Sequence, residues 1–357
     1  MTLPVEAREG CVVGVGEPNH GTAEVSELRR SMILAASTSR RTVVALEAPT
    51  DTTVPLSEYV SGSIPWHDDL LRAVASWPWR TKETRRLLAA LRQLNASGDG
   101  SVRVVGIDPQ VPVRAARSLF AAARRLGHPQ AALSLAFAPL RVGMPPPRRV
   151  RAPMLKLLDE VEGRRSLAPD EVTALREAYA LSTHPDGPAH CLARRDRIMA
   201  GRVLSCVDED TLVLALAHNA HVSKTSYAAG VPAMGQHLAR ALGARYSATG
   251  VFTAAGSFRA RLGVAGVTSP VDVTLRLPSP PPGSVERAMQ EATTTGPGQA
   301  STFVVDTTWE SLRWAKHAGV VVNPLTWPFA FDAVDMPAAF DAAALIGHAS
   351  PTHALRR

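Results

Sequence analysis

The sequence predicts an α/β fold in which a largely parallel sheet is flanked by helices, and two observations lead to this prediction. Seven short apolar or β-branched runs, bounded by Gly, Pro or Asp, recur along the 357-residue chain with helical patterns between most of them. The runs are apolar at successive positions, which is typical of parallel strands covered on both faces. The seven predicted strands are residues 11–17, 42–49, 102–110, 211–221, 245–252, 301–307 and 343–349.

The predicted helices follow from the spacing of apolar residues. The first helix is expected to begin near Thr22 or Ala23, directly after the first strand, and RTKETRRLLAALRQL predicts an amphipathic helix with a solvated basic face. Strand patterns are absent from Val111 to Val207. We therefore predict a helical insertion at 111–207 between two parts of an α/β core, 1–110 and 208–357. Its four helices are expected at 114–127, 152–165, 169–182 and 190–205, and the Pro-rich stretches 144–153 and 278–284 are interpreted as connections.

Composition excludes several classes of function. No apolar run approaches the roughly 20 residues of a membrane span, so no membrane association is expected. The first ten residues lack the pattern of an export signal, and the three cysteines form neither CxxC pairs nor an even set, which favours the cytoplasm. The net charge of +7 comes from scattered arginines without interleaved aromatic residues, so no nucleic-acid partner is expected. The sequence leaves the oligomeric state open.

Ionisable and polar residues follow four consecutive predicted strands. They are Glu17 and His20 after the first, Glu47 after the second, Asp108 and Gln110 after the third, and His218, Asn219 and His221 after the fourth. Because the carboxyl ends of parallel strands meet at one edge of a sheet, we expect these side chains to form a single rim where a ligand binds.

The stretch GVGEPNHGTAE places His20 just before the predicted N-terminus of a helix. The positive end of the helix dipole disfavours the imidazolium, so His20 is expected to be a neutral base near pH 7. A neighbouring carboxylate would accept the second ring N–H and fix the tautomer, and Glu17 and Glu47 are the candidates. Arg29 could reach back toward the rim, where it would neutralise the glutamates or hold a substrate oxygen; the alternative is a surface arginine.

Other chemistry is less well supported by the residue pattern. The Glu and His residues of the rim are possible metal ligands, but no HExxH motif or cysteine pair accompanies them, so neither a metal nor a cofactor is expected. A serine hydrolase is disfavoured because Ser223 has no flanking elbow glycines. The tryptophans Trp66, Trp77 and Trp79 are expected to pack between helices rather than to line the cleft.

Seven motifs occur together in a fixed order: GEPNHGTAE, VALEAP, WPWRTKETRRLLAALRQLN, GIDPQ, RRDRIMA, LAHNAHV and MGQHLARALGARYSATG. This combination resembles the erythromycin esterase family from about Val12 to Gly256, with weaker likeness at FVVDT and FDAAALIGHA. The resemblance implies an α/β core with helices, here the insertion, forming one wall of a deep active-site cleft. It also implies a metal-independent hydrolase that opens macrolide lactones. The chain is shorter than typical members, so we expect part of the wall that covers the substrate to be missing.

The resemblance implies a role for each rim residue. His20 matches the base for water and Glu17 its accompanying acid, while Glu47 matches the acid after the second strand. His218 matches a catalytic histidine, and His221 a supporting one. Residues expected to bind substrate are Arg29, His221, Arg195, Asp108 and Gln110; Arg195 belongs to an Arg-Asp pair on a helix of the insertion.

The leading hypothesis is therefore hydrolysis of an ester or lactone in a hydrophobic, polyketide-like natural product. In it, His20 deprotonates water, and His218 with Arg29 stabilises the oxyanion. Two alternatives remain open. One is a biosynthetic enzyme that uses the same base without water, for elimination, acyl transfer or cyclisation. The other is a non-enzymatic metal- or haem-binding protein that uses the histidines.

Overall fold

The computed structural model describes residues 9–355 except 39, 75, 184–186, 227–229, 265–266, 294–299, 306–308, 310–311, 317 and 320. Residues 1–8, where no export signal is expected, and residues 306–307 of one predicted strand lie outside the described residues. No helix in the described ranges combines the length and the apolar composition that crossing a membrane requires.

The strands form one large sheet and two hairpins. Their bounds are β1 (Val12–Val15), β2 (Arg41–Pro49), β3 (Ser101–Asp108), β4 (Thr211–Leu216), β5 (Tyr246–Thr253), β6 (Ser257–Val264), β7 (Val267–Arg276), β8 (Ala300–Val304), β9 (Leu312–Lys316), β10 (Phe331–Asp335) and β11 (Ala342–Ile346). The large sheet has the order β3-β2-β4-β1-β5-β11-β8, and all its pairs are parallel except the edge pair β11–β8. Each of the seven predicted strands overlaps one strand of this sheet, and the predicted fold class is confirmed.

The helices cover both faces of the sheet. Their bounds are α1 (Ala23–Ser37), α2 (Thr50–Val60), α3 (Asp69–Ala73), α4 (Lys82–Ser97), α5 (Val113–Arg125), α6 (Arg148–Gly163), α7 (Pro169–Ser182), α8 (Pro188–Leu204), α9 (Asn219–Val222), α10 (Met234–Leu242), α11 (Val285–Glu291) and α12 (Met336–Ala339). Helices α1 to α4 bury their apolar side chains against one face, and α8, α10 and α11 cover the other. Neighbouring strand residues such as Val12 and Val13 belong to the two opposite cores, which explains the continuous apolar runs.

The insertion has a core of its own. Helices α5, α6 and α7 pack around a buried cluster that includes Phe137, Leu158 and Leu175, whereas α8 packs on the sheet. The division of the chain at residues 111 and 207 stays a prediction.

The structure differs from the sequence prediction in two places. The hairpins β6–β7 and β9–β10 were not predicted, because a half-exposed hairpin alternates apolar and polar residues and lacks a continuous apolar run. In β6, for example, Phe258 alternates with Arg259. The connection predicted at 144–153 ends early, since α6 begins at Arg148 and contains Pro153. Burial of its apolar face against the insertion core outweighs the loss of one helical hydrogen bond. The connection predicted at 278–284 is confirmed.

The segment of residues 349–355, here called the C-terminal strap, joins the first residues of α1 and α4. The Ala23 N–H donates to the Ser350 carbonyl, and the Lys82 N–H donates to the His353 carbonyl. In return, the carboxylates of Glu24 and Glu83 accept the backbone N–H groups of Ser350 (2.7 Å) and His353 (3.1 Å). The strap therefore satisfies free N–H groups at two helix starts and ties these helices together.

Candidate active site

The carboxyl ends of β3, β2, β4 and β1 lie side by side in the sheet, and a cleft of about 250 Å³ opens beside them. Five of the residues predicted from the sequence line it: His20, Glu47, Asp108, Gln110 and Arg195. The other five, Glu17, Arg29, His218, Asn219 and His221, are not among its lining residues and are buried next to the first group. The predicted rim residues thus form two groups, one that lines the cleft and one that is buried beside it.

A tight turn presents His20 to the cleft. The Asn19 side-chain oxygen accepts hydrogen bonds from the Gly21 N–H (3.1 Å) and the Thr22 hydroxyl (2.8 Å), which closes the turn just before α1. Gly21 lies against strand β6, and a Cβ atom at this position would be 1.8 Å from the Arg259 carbonyl oxygen. The glycine after His20 is therefore required by the close approach of a second backbone.

Glu17 connects His20 to a buried arginine. One carboxylate oxygen lies 2.9 Å from His20 Nδ1, and the other lies 3.0 Å from Arg29 Nη1. Arg29 Nη2 also donates to the carbonyls of Val15 (2.8 Å) and Ala217 (2.6 Å). Because Glu17 accepts the Nδ1–H, Nε2 of His20 carries a lone pair, and no described residue hydrogen bonds to it.

Arg195 from α8 lies between two carboxylates that end neighbouring strands. Its Nη2 donates to Glu47 (2.7 Å) and to Asp108 (2.8 Å), and its Nε donates to Asp108 (3.1 Å). Burial raises the pKa of Glu47, but the charges of His221 and Arg195 outweigh burial and hold that pKa well below its usual value. Burial likewise raises the pKa of Asp108, and Arg195 more than reverses this. Both carboxylates are therefore ionised at neutral pH.

His221 lies beneath Glu47. Its Nδ1 is 2.7 Å from Asp196, and its Nε2 is 3.2 Å from Glu47 and 2.9 Å from Arg195 Nη1. Nε2 of a neutral His221 ring would accept a hydrogen bond from Arg195, whereas Nε2 of a protonated ring donates a hydrogen bond to Glu47. Burial lowers the pKa of His221, but Asp196 and Glu47 overcome this effect and raise the pKa to about 10. The protonated ring is favoured, because the carboxylates of the cluster outnumber its guanidinium.

His218 is fixed by the backbone on both sides of its ring. Nδ1 accepts the N–H of Ala220 at 3.2 Å, and Nε2 lies 3.1 Å from the Pro18 carbonyl, to which it donates. The ring is 5.5 Å from that of His20, centroid to centroid. Arg29 is similarly occupied by Glu17 and two carbonyls. Both residues therefore hydrogen bond to buried groups next to His20, and the catalytic roles expected for them stay predictions.

The cleft wall comes from three separate parts of the chain. The loop before α4 contributes Trp77 and Arg80, the insertion contributes Arg141 and Met144, and β6 contributes Arg261. The expectation that the tryptophans pack between helices is wrong for Trp77. It holds for Trp79 and Trp66, which pack in or against the main core. Trp77 and Trp79 belong to one short 3-10 turn, in which Trp77 lines the cleft and Trp79 packs in the main core.

Sequence reasoning did not identify the arginines of this wall. Arg141 lies in an irregular loop and has no periodicity. Arg259 and Arg261 alternate with apolar residues on β6, so a strand assignment there would have placed both on one face. Among the described residues, no group of three or more His, Cys, Asp or Glu side chains is arranged to hold a metal ion.

Comparison with known proteins adds to this geometry. The sequence profile described as erythromycin esterase matches residues 41–347, which is most of the chain. The chain belongs to the erythromycin esterase family. This membership supports an esterase-like enzyme with hydrolase activity. The match includes Glu47, Asp108, Arg195, His218 and His221 but begins after His20.

Solved structures share the fold of this family member over nearly its whole length. A Bacillus cereus protein is 20% identical with a TM-score of 0.75, covering 97% of this chain and 90% of its own. A succinoglycan biosynthesis protein is 15% identical with a TM-score of 0.71 and the same coverages. A histidine-to-asparagine variant of the erythromycin esterase EreC, in its open conformation, is 20% identical with a TM-score of 0.64, covering 96% and 92%. None of the curated proteins matches this chain.

Proposed function

We propose that this protein hydrolyses a carboxylic ester or lactone with His20 as the general base. The observation that carries the proposal is the Glu17–His20 pair: Glu17 accepts the Nδ1–H, so the Nε2 lone pair is available on a residue that lines the cleft. Family membership supports the hydrolase class. The site requires no group beyond the side chains described, and we propose no metal or cofactor for this step.

In the proposed reaction, His20 Nε2 removes a proton from water while the water oxygen attacks the ester carbonyl carbon. The imidazolium that forms is stabilised by the Glu17 carboxylate, whose other oxygen pairs with Arg29. Collapse of the tetrahedral intermediate breaks the bond to the leaving alcohol, and His20 returns the proton to it.

Arg195 is the best candidate to stabilise the oxyanion. A guanidinium has five N–H groups, and three of those of Arg195 are directed to Glu47 and Asp108. The other two are on Nη1, and the protonated His221 ring beside it is itself a donor, so these two N–H groups have no acceptor among the described residues. We assign to Arg195 the role that the sequence suggested for His218 and Arg29, because both of these are occupied by buried partners.

The test uses a panel of aliphatic esters and lactones in heavy-oxygen water. Hydrolysis places one heavy oxygen in the carboxylate product, which mass spectrometry detects. His20→Asn is expected to abolish turnover while leaving the melting temperature nearly unchanged. His67→Asn, an exposed histidine outside the cleft, is the matched control and should retain wild-type activity. Turnover by His20→Asn at the wild-type rate would contradict the proposal. A product without the heavy isotope would also contradict it and would indicate non-hydrolytic chemistry.

The substrate is proposed to be a small molecule with apolar surface, as the sequence suggested. Trp77, Val142 and Met144 supply apolar wall to the cleft. A large lactone ring is a weaker candidate than a compact ester, because a volume of about 250 Å³ lies below the usual range of about 300–1,000 Å³ for ligand pockets.

A further inference from the structure

The cleft is lined by more guanidinium groups than carboxylates. Four arginines line it, Arg80, Arg141, Arg195 and Arg261, against two acids, Glu47 and Asp108, among the described residues. Both acids bind Arg195. Arg141 and Arg261 make no hydrogen bond or ion pair with either of these two acids.

Arg261 is held in place but only partly neutralised. Its Nε donates to Asp272 at 2.8 Å, and the other oxygen of the same carboxylate accepts from Arg259 Nη1, also at 2.8 Å. Both guanidinium groups lie over the Trp77 ring, at 4.7 Å for Arg259 and 5.6 Å for Arg261. One carboxylate thus serves two cations, and the Nη groups of Arg261 have no acceptor in the described part of the chain.

Arg141 lines the same cleft as His20, and its guanidinium makes no hydrogen bond or ion pair with any of the described residues. The residue as a whole is exposed, but its guanidinium is close enough to the cleft for partial burial to lower the pKa of Arg141. The charge of Asp108 raises this pKa, and the like charge of Arg261 lowers it by a smaller amount. Two cations from distant parts of the chain therefore repel each other across the cleft.

We propose that Arg141 and Arg261 bind an oxyanion, a carboxylate or a phosphate, on the substrate. Arginine matches the planar geometry of both groups and can donate two parallel hydrogen bonds to either. A bound anion relieves the repulsion between the two guanidinium groups. This inference rests on the proposed ester hydrolysis and narrows its substrate to an ester that carries a negative charge in addition to its apolar part.

Binding is tested without a substrate, by isothermal titration with inorganic phosphate, with glutarate, and with glutaramide as the uncharged comparison. The anions should bind, with an affinity that falls as salt is added, and the diamide should not. Arg141→Gln should weaken anion binding about tenfold or more, because a hydrogen bond to a charged group is lost. Arg148→Gln, an exposed arginine of the same insertion outside the cleft, should bind as the wild type does. The tighter of the two anions identifies the group.

Arg261→Gln is a second variant, and we expect the same loss of anion affinity from it. If Arg261→Gln fails to fold, Arg141→Gln alone still tests the proposal. The titration measures binding alone and needs no turnover, so its result does not depend on whether the protein is a hydrolase. Failure of this inference is thereby separate from failure of the proposed reaction. No anion binding by the wild type, or equal binding by wild type and Arg141→Gln, would overturn it.

Discussion

At the scale of single residues, the tautomer of His20 depends on the acid that accepts its Nδ1–H. In Glu17→Gln, Arg29 requires an oxygen acceptor, so the amide oxygen would face Arg29 and the amide NH₂ would face His20. The ring would then carry its proton on Nε2 and lose its basic lone pair. We expect kcat to fall by about 100-fold or more while the protein stays folded. Ester turnover measured beside circular dichroism melting checks this, and a folded variant with near-normal kcat would contradict it.

The charge of His221 gives a second prediction at this scale. Burial lowers its pKa, but Asp196 and Glu47 raise it from 6.5 to about 10. A raised pKa contributes stability that is complete below pH 6.5 and is lost as the pH rises toward 10. The free energy of unfolding of the wild type should therefore fall across this window, by up to about 1.4 kcal/mol per pH unit from this group.

His221→Gln cannot titrate, so its stability should vary less over the same pH range. Urea unfolding of both proteins between pH 6.5 and 10 measures the two slopes, independently of the lower absolute stability expected for the variant. Identical slopes would show that His221 is not protonated in the folded state.

At the scale of elements, the sequence predicts strands better than side-chain directions. Strands β1, β2, β4, β5 and β11 are buried along nearly their whole length because helices cover both faces, and this signal is local. The identity of the rim residues follows from the same strands. Whether a rim histidine faces the cleft, as His20 does, or the backbone, as His218 does, depends on contacts between residues 200 positions apart. Spacing along the chain contains no such information.

The approach of β6 to the His20 turn predicts a large effect of a small substitution. Gly21→Ala would place a Cβ 1.8 Å from the Arg259 carbonyl oxygen, so one of the two backbones must move. We expect a loss of about 1–3 kcal/mol in the free energy of unfolding and reduced turnover, because His20 precedes the displaced residue.

Gly201→Ala is the matched control for this substitution. A Cβ at Gly201 meets nothing within 4 Å, and the residue lies within α8, so alanine should be neutral or add up to about 1 kcal/mol. Denaturant titration of both variants and of the wild type measures these changes in the free energy of unfolding. Equal stability of Gly21→Ala and wild type would mean that the close approach is not a constraint in solution.

At the scale of the whole molecule, the separate core of the insertion predicts two kinds of instability. Phe137→Ala leaves a cavity among α5, α6 and α7, at a cost of about 3–5 kcal/mol, whereas Leu46→Ala leaves one in the main core, at about 2–5 kcal/mol. Amide hydrogen exchange should accelerate mainly in the insertion for the first variant and throughout the sheet for the second. Uniform acceleration in both would contradict the division of the chain at residues 111 and 207.

The C-terminal strap has a consequence for how the enzyme matures. The turn that contains His20 is synthesised hundreds of residues before the C-terminal strap. The strap hydrogen bonds to Gly21 and to the start of α4. Under the proposed function, a polypeptide without residues 349–355 should therefore be inert, because these contacts to Gly21 and to the start of α4 are missing. Turnover by a purified variant that ends at residue 346 would contradict this view.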